Sequence, residues 1–364
     1  MELDKNGVLI AMSGGVDSSV AAFLMKEQGY SCLGTTMRLY DSNFSTSTVL
    51  HTCCTEKDVE DAADCASRLG IPFEVANYTA DFKEKIIDKF IRTYETGGTP
   101  NPCIDCNRYM KFGKLIELAE RRGLFYICTG HYARIEEHNG RFLLKKAVDQ
   151  SKDQSYVLYS LTQNQLEHIK FPLGEMTKSE VRALAEREGF LNAHKHDSQD
   201  ICFVPDGDYE AFMENYTGKS YPEGDFIFPD GSVAGKHHGA VGYTIGQRRG
   251  LGISYSEPVY VYDKDMENNI VYVGTESQLY STGLIADDVN WIAIESLTGS
   301  LHVTAKTRYR QMEFPATVEP LDGGRFMLTF DEPQKAVTKG QAVVLYQGDI
   351  VIGGGTITEA IGKR

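Results

Sequence analysis

The 364-residue sequence has no apolar run of about 18 residues or more, so no segment is predicted to span a membrane. The N-terminal stretch MELDKNGVLIAMSGG also lacks the basic leader, long apolar core and small-residue cleavage site of a secretory signal. These absences predict a cytoplasmic protein. In a reducing compartment, the eight cysteines are expected to be reduced, catalytic or metal-bound rather than joined in structural disulfides.

Positive charge is in deficit, with 37 Lys and Arg against 51 Asp and Glu and a net charge of −14. This total argues only mildly against nucleic acid as a partner, because binding depends on local basic patches. Two stretches, 235–250 and 302–311, are basic and contain no acid, and Tyr243 and Tyr309 within them are candidates to stack on a base. Composition alone leaves an RNA-binding surface and a solvated strand face equally plausible.

The first 208 residues alternate apolar runs with helical patterns. Strands are predicted at 7–12, 31–40, 71–76 and 125–129, and helices after residue 13 and at 56–69, 81–94, 107–122, 163–169 and 178–188. Strands that alternate with helices form βαβ units, so the pattern predicts an α/β domain with a doubly wound parallel sheet.

After about residue 208, short β-branched and aromatic runs are separated by Gly, Asp and Asn, which predicts an all-β region containing a small barrel or sandwich. The predicted domains are a nucleotide-binding and catalytic domain at 1–208, a small central β-rich domain at 209–280 and a C-terminal barrel-like domain at 281–364.

Residues 11–18, AMSGGVDS, follow an apolar strand and open a helix. Glycines let backbone N–H groups approach an oxyanion, and a helix N-terminus adds positive potential, so the stretch is typical of an anion-binding loop. It lacks the lysine of a Walker A loop and does not match G-x-G-x-x-G. Asp17 would repel a bare phosphate, so we expect Mg²⁺ between them. The alternative is a strand-to-helix turn without a ligand.

The SGGVDSS stretch resembles the pyrophosphate loop of the PP-loop ATPases. That resemblance implies cleavage of ATP between its α- and β-phosphates and adenylylation of a substrate oxygen. Members of this superfamily differ in the nucleophile that then displaces AMP, which is ammonia, an amine or sulfur.

Three cysteines lie in polar loops. Cys103 and Cys106 precede a predicted helix in a Pro-containing loop, where the pKa of a thiol falls, and Cys202 lies in DSQDICFVPDGDY. Cys32 and Cys128 lie in predicted apolar strands and Cys65 in a predicted helix, so we expect these three to be small buried side chains. No role is assigned to Cys53 and Cys54.

Seven blocks are similar, in order and spacing, to the tRNA-specific 2-thiouridylases (the MnmA/TrmU family), from residue 8 to about residue 356. They are SGGVDSS, TPNPxxxCNxxxKFG, TGHYAR, KDQSYVL, DSQDICFVPDGDY, GYTIGQRRGLGI and TRYRQ. The resemblance implies adenylylation of O2 of uridine 34, the wobble base of Lys, Glu and Gln tRNAs, followed by replacement of that oxygen by sulfur. It also implies ATP with Mg²⁺, the tRNA anticodon stem-loop as a partner, and a persulfide sulfur-relay protein or cysteine desulfurase as sulfur donor.

The same resemblance implies the roles of individual residues. Cys106 corresponds to the nucleophile that releases the sulfur, Cys202 to the persulfide carrier, and Asp17 to a third catalytic position. The implied ATP contacts are Ala11, Met12, Ser13, Gly14, Gly15, Val16, Asp17, Ser18, Met37 and Gly130. The implied tRNA contacts are Asn101, Pro102, Cys103, His131, Lys152, Asp153, Gln154, Arg308, Tyr309 and Gln341.

One position departs from the family pattern, because many members have Asp where this chain has Cys103. Three interpretations follow: a persulfide relay through Cys106 and Cys202, a [4Fe–4S] cluster held by Cys103, Cys106 and Cys202, or a Cys103 without a role. A zinc site ranks lower, because no fourth ligand accompanies the cysteine pair. Another PP-loop ligase and a non-catalytic tRNA-binding protein are the alternative functions.

Overall fold

The computed structural model describes residues 3–40, 56–193, 195, 201–204 and 207–362, so Cys53 and Cys54 lie outside the described residues. The chain folds into two compact units, each built from separate stretches: unit 1 from 1–87, 102–207 and 349–351, and unit 2 from 88–101, 208–348 and 352–364. The predicted three domains, at 1–208, 209–280 and 281–364, divide the chain differently and stay a prediction.

Unit 1 contains a five-stranded parallel sheet in the order β3-β2-β1-β4-β7. Its strands are β1 (Asp4–Ala11), β2 (Ser31–Arg38), β3 (Phe73–Asn77), β4 (Leu124–Cys128) and β7 (Ile169–Lys170), with a hairpin of β5 (Ala133–His138) and β6 (Arg141–Lys146). Its helices are α1 (Val16–Glu27), α2 (Glu56–Leu69), α3 (Thr79–Phe82), α5 (Pro102–Asp105), α6 (Leu115–Arg121), α7 (Ser155–Leu158), α8 (Gln163–Glu167) and α9 (Lys178–Arg187), with π-helices at Lys83–Ile87 and Cys106–Lys114.

Strand β1 is buried on both sides, as expected for a central parallel strand. Val8 and Ile10 belong to the core that α1, α2 and α9 cover. Leu9, also fully buried, points to the opposite face because side chains alternate along a strand. Helix α6 packs against β1 and β4. The predicted doubly wound α/β fold is therefore confirmed.

Three local predictions for unit 1 need correction. The β5–β6 hairpin was not predicted. The helix predicted at 163–169 ends at Glu167, and Ile169–Lys170 instead forms the edge strand β7. The helices predicted at 81–94 and 107–122 exist as helical stretches, but each contains a π-helical segment that apolar spacing does not reveal.

Unit 2 is rich in β structure and holds two sheets. A four-stranded sheet has the order β10-β11-β8-β9, and a six-stranded antiparallel barrel, β12-β15-β14-β13-β16-β17, closes through pairing of β12 with β17. The elements are α4 (Asp88–Glu95), α10 (Tyr209–Thr217), β8 (Gly224–Ile227), β9 (Val233–His237), β10 (Tyr260–Asp265), β11 (Ile270–Gly274), β12 (Tyr280–Trp291), β13 (Leu301–Lys306), β14 (Phe314–Pro320), β15 (Phe326–Lys335), β16 (Ala342–Gln347) and β17 (Ile350–Ile361).

The prediction that the chain is all-β after residue 208 was wrong for its first segment. Helix α10 occupies Tyr209–Thr217, with the Asp208 side chain accepting from the backbone N–H of Ala211 and left-handed Gly218 ending the helix. This N-cap and C-cap pair is the sequence signal that was overlooked. Among the described residues, no helix combines the length and the apolar character needed to cross a membrane.

Candidate active site

The loop between β1 and α1 takes a conformation that requires glycine. Gly14 has a φ of +71°, and a Cβ added there would lie 2.4 Å from the carbonyl oxygen of Asp58. The N–H of Ser13 donates to Ser18 Oγ at 3.1 Å, and Ser18 Oγ donates to the carbonyl of Gly15 at 2.9 Å. Gly15 is the N-cap of α1 and supplies no side-chain cap, so the first-turn N–H groups of α1 suit an anion.

Two residues that sequence reasoning missed hold this loop from behind. Asn192 Nδ2 donates to the carbonyl of Gly14 at 3.1 Å and to Ser19 Oγ at 2.9 Å. Lys195 Nζ donates to the same carbonyl at 3.2 Å and pairs with Asp58 at 2.7 Å. Both residues are about 180 positions from the loop in sequence, so only the tertiary structure brings them together.

The carboxylate of Asp17 is held by two side chains from elsewhere in unit 1. Lys178 Nζ lies 2.8 Å from each of its oxygens, and the Tyr132 hydroxyl donates to Oδ1 at 2.8 Å. The Lys178 side chain is 10% exposed and that of Asp17 29%. Neither Lys178 nor Tyr132 was predicted to belong to the site.

The remaining predicted ATP positions surround the loop. A Cβ on Gly130 would lie 2.8 Å from the carbonyl carbon of Asp17, so glycine there allows the chain after β4 to approach the first turn of α1. In β2, Thr35 pairs with Ala11 and Met37 follows two residues later. Thr35 Oγ1 is buried and has no hydrogen-bond partner within the described residues. The small residues of the loop, the uncapped N-terminus of α1 and this buried hydroxyl fit a nucleoside triphosphate.

Cys106 begins a π-helical segment. Cys103 is exposed within α5, Cys106 is half-buried, and the π-helix Cys106–Lys114 follows directly. The expectation that these two cysteines lie in a loop before a helix was wrong, because the helical stretch already begins at Pro102, a residue that suits the first position of a helix. Asn107 anchors its start, because its buried Nδ2 donates to the carbonyl of Val157 at 3.0 Å. π-Helical turns are rare in proteins, and those that occur are often found at functional sites.

Cys202 is anchored through its backbone and its neighbour. The hydroxyl of Tyr40 donates to the carbonyl of Cys202 at 3.3 Å, and the ring of Phe203 packs edge-on against Phe82, with centroids 5.8 Å apart. Phe82 ends α3, and α5 packs against the π-helical turn that follows it, Lys83–Ile87. The segments that carry Cys202 and Cys106 therefore both contact the helical stretch 79–87.

Cys103, Cys106 and Cys202 are thiols and not half-cystines. Within the described residues, which include all three, no group of three or more His, Cys, Asp or Glu side chains is placed to hold a metal ion. The structure therefore does not bring these thiols together as ligands of a cluster.

The other described cysteines are unsuited to sulfur chemistry. Burial raises the pKa of Cys32 to about 11 and raises the pKa values of Cys65 and Cys128. These thiols stay protonated near neutral pH, and the thiolate is the nucleophile.

Several predicted tRNA contacts in unit 1 make internal contacts. His131 is 6% exposed and lies 5.6 Å from the ring of Phe112, and burial followed by the nearby Lys111 charge holds its pKa well below the ordinary value, so it is neutral. Asp153 accepts from the backbone N–H of Ala147 and from Ser155. Gln154 accepts from the backbone N–H of Tyr132 at 2.9 Å. Lys152 is half-buried, and Pro102 is buried at the start of α5.

In unit 2, two predicted tRNA contacts act as internal donors. Arg308 Nη2 donates to the carbonyls of Ile245 at 2.8 Å and Ala336 at 3.0 Å, and to Thr338 Oγ1 at 2.9 Å. Gln341 Nε2 donates to the carbonyl of Thr99 at 3.0 Å and to the carbonyl of Pro100 at 3.1 Å. These two residues immediately precede Asn101, which is half-buried.

Strand register changes the predicted basic patches. Register places Asp225 opposite Lys236, and their ion pair is 2.7 Å long. Tyr243 is buried against Phe226, so the expectation that it stacks on a base was wrong. Tyr309, 38% exposed, keeps an accessible ring.

Comparisons with known proteins cover the whole chain. Family models match for a tRNA methyl transferase HUP domain at 6–206, a tRNA methyl transferase PRC-barrel domain at 210–275 and an aminomethyltransferase beta-barrel domain at 281–357. The chain is 48% identical over 359 residues to tRNA-specific 2-thiouridylase MnmA 1 of Thermoanaerobacter pseudethanolicus, covering 98% of this chain and 99% of that protein. It is 47% identical over 356 residues to MnmA of Clostridioides difficile, covering 97% and 98%.

The chain belongs to the tRNA-specific 2-thiouridylase family. The family membership and the fold class predicted from sequence are both confirmed. The roles of individual residues in this 2-thiouridylase are not set by membership alone, because Arg308, Gln341 and His131 make internal contacts here.

Thiol reactivity in this 2-thiouridylase should follow exposure and pKa. Iodoacetamide applied briefly near neutral pH should modify exposed Cys103 at least roughly 100-fold faster than Cys128, whose pKa is raised by complete burial. Peptide mass spectrometry measures both rates, and protein unfolded in guanidinium chloride is the control in which the rates converge. Rates within tenfold of each other in the folded protein would contradict this assignment.

Arg308 should matter for stability more than its exposed neighbour Arg310. Arg308→Met removes donors to three oxygens, so we expect the thermal unfolding midpoint to fall by about 5 °C. Arg310→Met, the matched control in the same loop, should change it by less than about 1 °C. Circular dichroism measures both, and equal midpoints for the two variants would contradict a structural role of Arg308.

Proposed function

We propose that this chain is an ATP-dependent tRNA-uridine 2-sulfurtransferase that thiolates wobble uridine U34 in Lys, Glu and Gln tRNAs. The observation that carries the proposal is 48% identity, over almost the full length, to a tRNA-specific 2-thiouridylase. The phosphate-binding loop and the two cysteine segments of unit 1 supply the chemistry that such a reaction needs.

The first step is adenylylation. Uridine O2 attacks the α-phosphorus of ATP, a P–O bond forms, and pyrophosphate leaves with the electrons of the broken bond. The N–H groups of Gly14, Gly15 and the first turn of α1 bind phosphate oxygens, and the absence of a Cβ at Gly14 and Gly130 allows this close approach. Mg²⁺, when bound, neutralises phosphate charge, and Asp17 is the carboxylate suited to hold it.

The second step is sulfur transfer. The terminal sulfur of a Cys202 persulfide attacks C2 of the adenylated uridine, and AMP leaves with the former O2. Cys106 thiolate then attacks Sγ of Cys202, the sulfur–sulfur bond breaks toward the uridine, and 2-thiouridine and a Cys106–Cys202 disulfide result. A dithiol reductant and a persulfide donor protein, a sulfur-relay protein or cysteine desulfurase, restore the enzyme. Contact of both cysteine segments with the stretch 79–87 supports this pairing.

The alternative sulfur carrier is a [4Fe–4S] cluster on Cys103, Cys106 and Cys202. The arrangement of the three thiols does not fit a cluster, so we derive no step through one and favour the persulfide route. Cys103, exposed in α5, is then an accessory at most.

Unit 2 offers the surface for the anticodon stem-loop. Tyr309, Arg310 and Met312 are exposed next to each other, as are Arg248 and Arg249 in the other basic stretch. Aromatic rings stack on unpaired bases and arginines bind phosphates.

A cytoplasmic location stays a prediction from the sequence.

Replacement of the two proposed sulfur-handling cysteines should separate the two steps. Cys106→Ser and Cys202→Ser should lower 2-thiouridine formation by at least roughly 1000-fold, because no thiolate carries or releases sulfur. Both should retain tRNA-dependent pyrophosphate release, since the ATP loop is untouched. Nucleoside mass spectrometry and a pyrophosphate assay measure the two products. A variant that thiolates at the unaltered rate would contradict the role given to that cysteine.

Iron dependence tests the choice of sulfur carrier. Protein purified without oxygen and freed of iron should thiolate tRNA fully with a persulfide donor, and Cys103→Ala should retain activity within about threefold. Cys128→Ala is the matched cysteine control. Activity only after cluster reconstitution, lost in Cys103→Ala, would replace the persulfide route by the cluster.

A further inference from the structure

The phosphate loop of this chain contains no lysine, yet the fold places one beside it. Lys178, the first residue of α9, brings Nζ to within 2.8 Å of both oxygens of Asp17, which is the second residue of α1. We propose that Lys178 is the cationic residue of the ATP site and binds the pyrophosphate part of ATP, the β- and γ-phosphates. This rests on the proposed function, because it concerns the same site.

The electrostatic setting of Lys178 suits an anion. The first turn of α1 carries partial positive charge and its N-cap has no side-chain cap, so a lysine ammonium at this end is opposed by the helix dipole. Asp17 supplies both of the carboxylate oxygens that Lys178 Nζ contacts. A polyphosphate arriving at the same place would interact favourably with both the ammonium and the helix N-terminus.

The backbone of Lys178 is rigidly placed while its side chain is long. Thr177 and Glu180 form a capping box at the start of α9, and the N–H of Lys178 donates to Asp149 Oδ2 at 3.0 Å. Four methylene groups let Nζ move without any change at these caps. In this proposal the Lys178 side chain turns from Asp17 to a phosphate while its backbone stays in place.

Tyr132 makes an exchange of partners feasible. Its hydroxyl donates to Asp17 Oδ1 at 2.8 Å, so Asp17 keeps a hydrogen bond when Lys178 turns to phosphate. The partly exposed carboxylate of Asp17 would then coordinate the Mg²⁺ that accompanies ATP. In this scheme one ion pair, Lys178 with Asp17, is replaced by two: Lys178 with phosphate and Asp17 with Mg²⁺.

The test compares ligands that do and do not contain the pyrophosphate part. Dissociation constants for MgATP and for AMP are measured by calorimetry, without tRNA or sulfur donor, for the unaltered protein, Lys178→Met and Lys178→Gln. We expect ATP binding to weaken roughly 10- to 100-fold in both variants, because a charge-assisted phosphate contact is lost. AMP binding should change by less than about threefold.

Lys145→Met is the matched control. Lys145 also forms an ion pair in unit 1, with Glu136 at 2.9 Å in the β5–β6 hairpin, and its loss should leave both dissociation constants unchanged. Lys178→Gln can still donate a hydrogen bond to Asp17, so this variant carries the test if circular dichroism shows that Lys178→Met does not fold. Lys178→Arg, which retains the charge, should recover part of the ATP affinity.

Two outcomes would overturn the proposal. Equal weakening of ATP and AMP would make Lys178 a structural partner of Asp17 alone, and unchanged ATP affinity would remove it from the phosphate site. Neither outcome depends on tRNA thiolation, because the binding test contains no tRNA and no sulfur donor. If the proposed function is wrong, Lys178→Met would still weaken ATP binding more than AMP binding, but the unaltered protein would form no 2-thiouridine.

Discussion

The carbonyl of Gly14 is the point on which the active centre of unit 1 depends. Gly14 needs a positive φ and space against Asp58, and its carbonyl accepts from both Asn192 and Lys195. These bonds hold the backbone of the loop at the start of α1. Seven residues after Lys195 the chain reaches Cys202, so the segment that supports the phosphate loop also leads to the proposed persulfide carrier.

Aromatic packing positions the segments that carry Cys106 and Cys202, whereas hydrogen bonds position the glycine loop. Phe82 contacts Tyr40 and Phe203, and the following π-helical turn contacts α5, so one short helical stretch packs against the segments of both Cys106 and Cys202. A π-helix begins at Cys106 itself. π-Helical segments are rare, and the buried Asn107 holds this one in place through its hydrogen bond to Val157.

Two polar side chains that the family resemblance assigns to tRNA binding make hydrogen bonds inside the protein instead. Arg308 ties the loop at Ile245 to Ala336 and Thr338, and Gln341 fixes the chain at Thr99 and Pro100. Both residues lie in stretches that the family resemblance associates with tRNA. These two side chains therefore stabilise the loops of unit 2, while the ring of their neighbour Tyr309 stays accessible.

The sequence alone predicted the α/β architecture, the glycine loop and the family. Apolar periodicity and glycine position report on local backbone geometry, and long matching blocks report on family. It did not show the π-helical segments, the buried state of Tyr243 and His131, or the partners of Asp17. Lys178 lies 161 residues from Asp17, and no spacing rule connects them. These contacts depend on tertiary packing, because they arise where α9 packs beside α1 and where strand register brings distant side chains together.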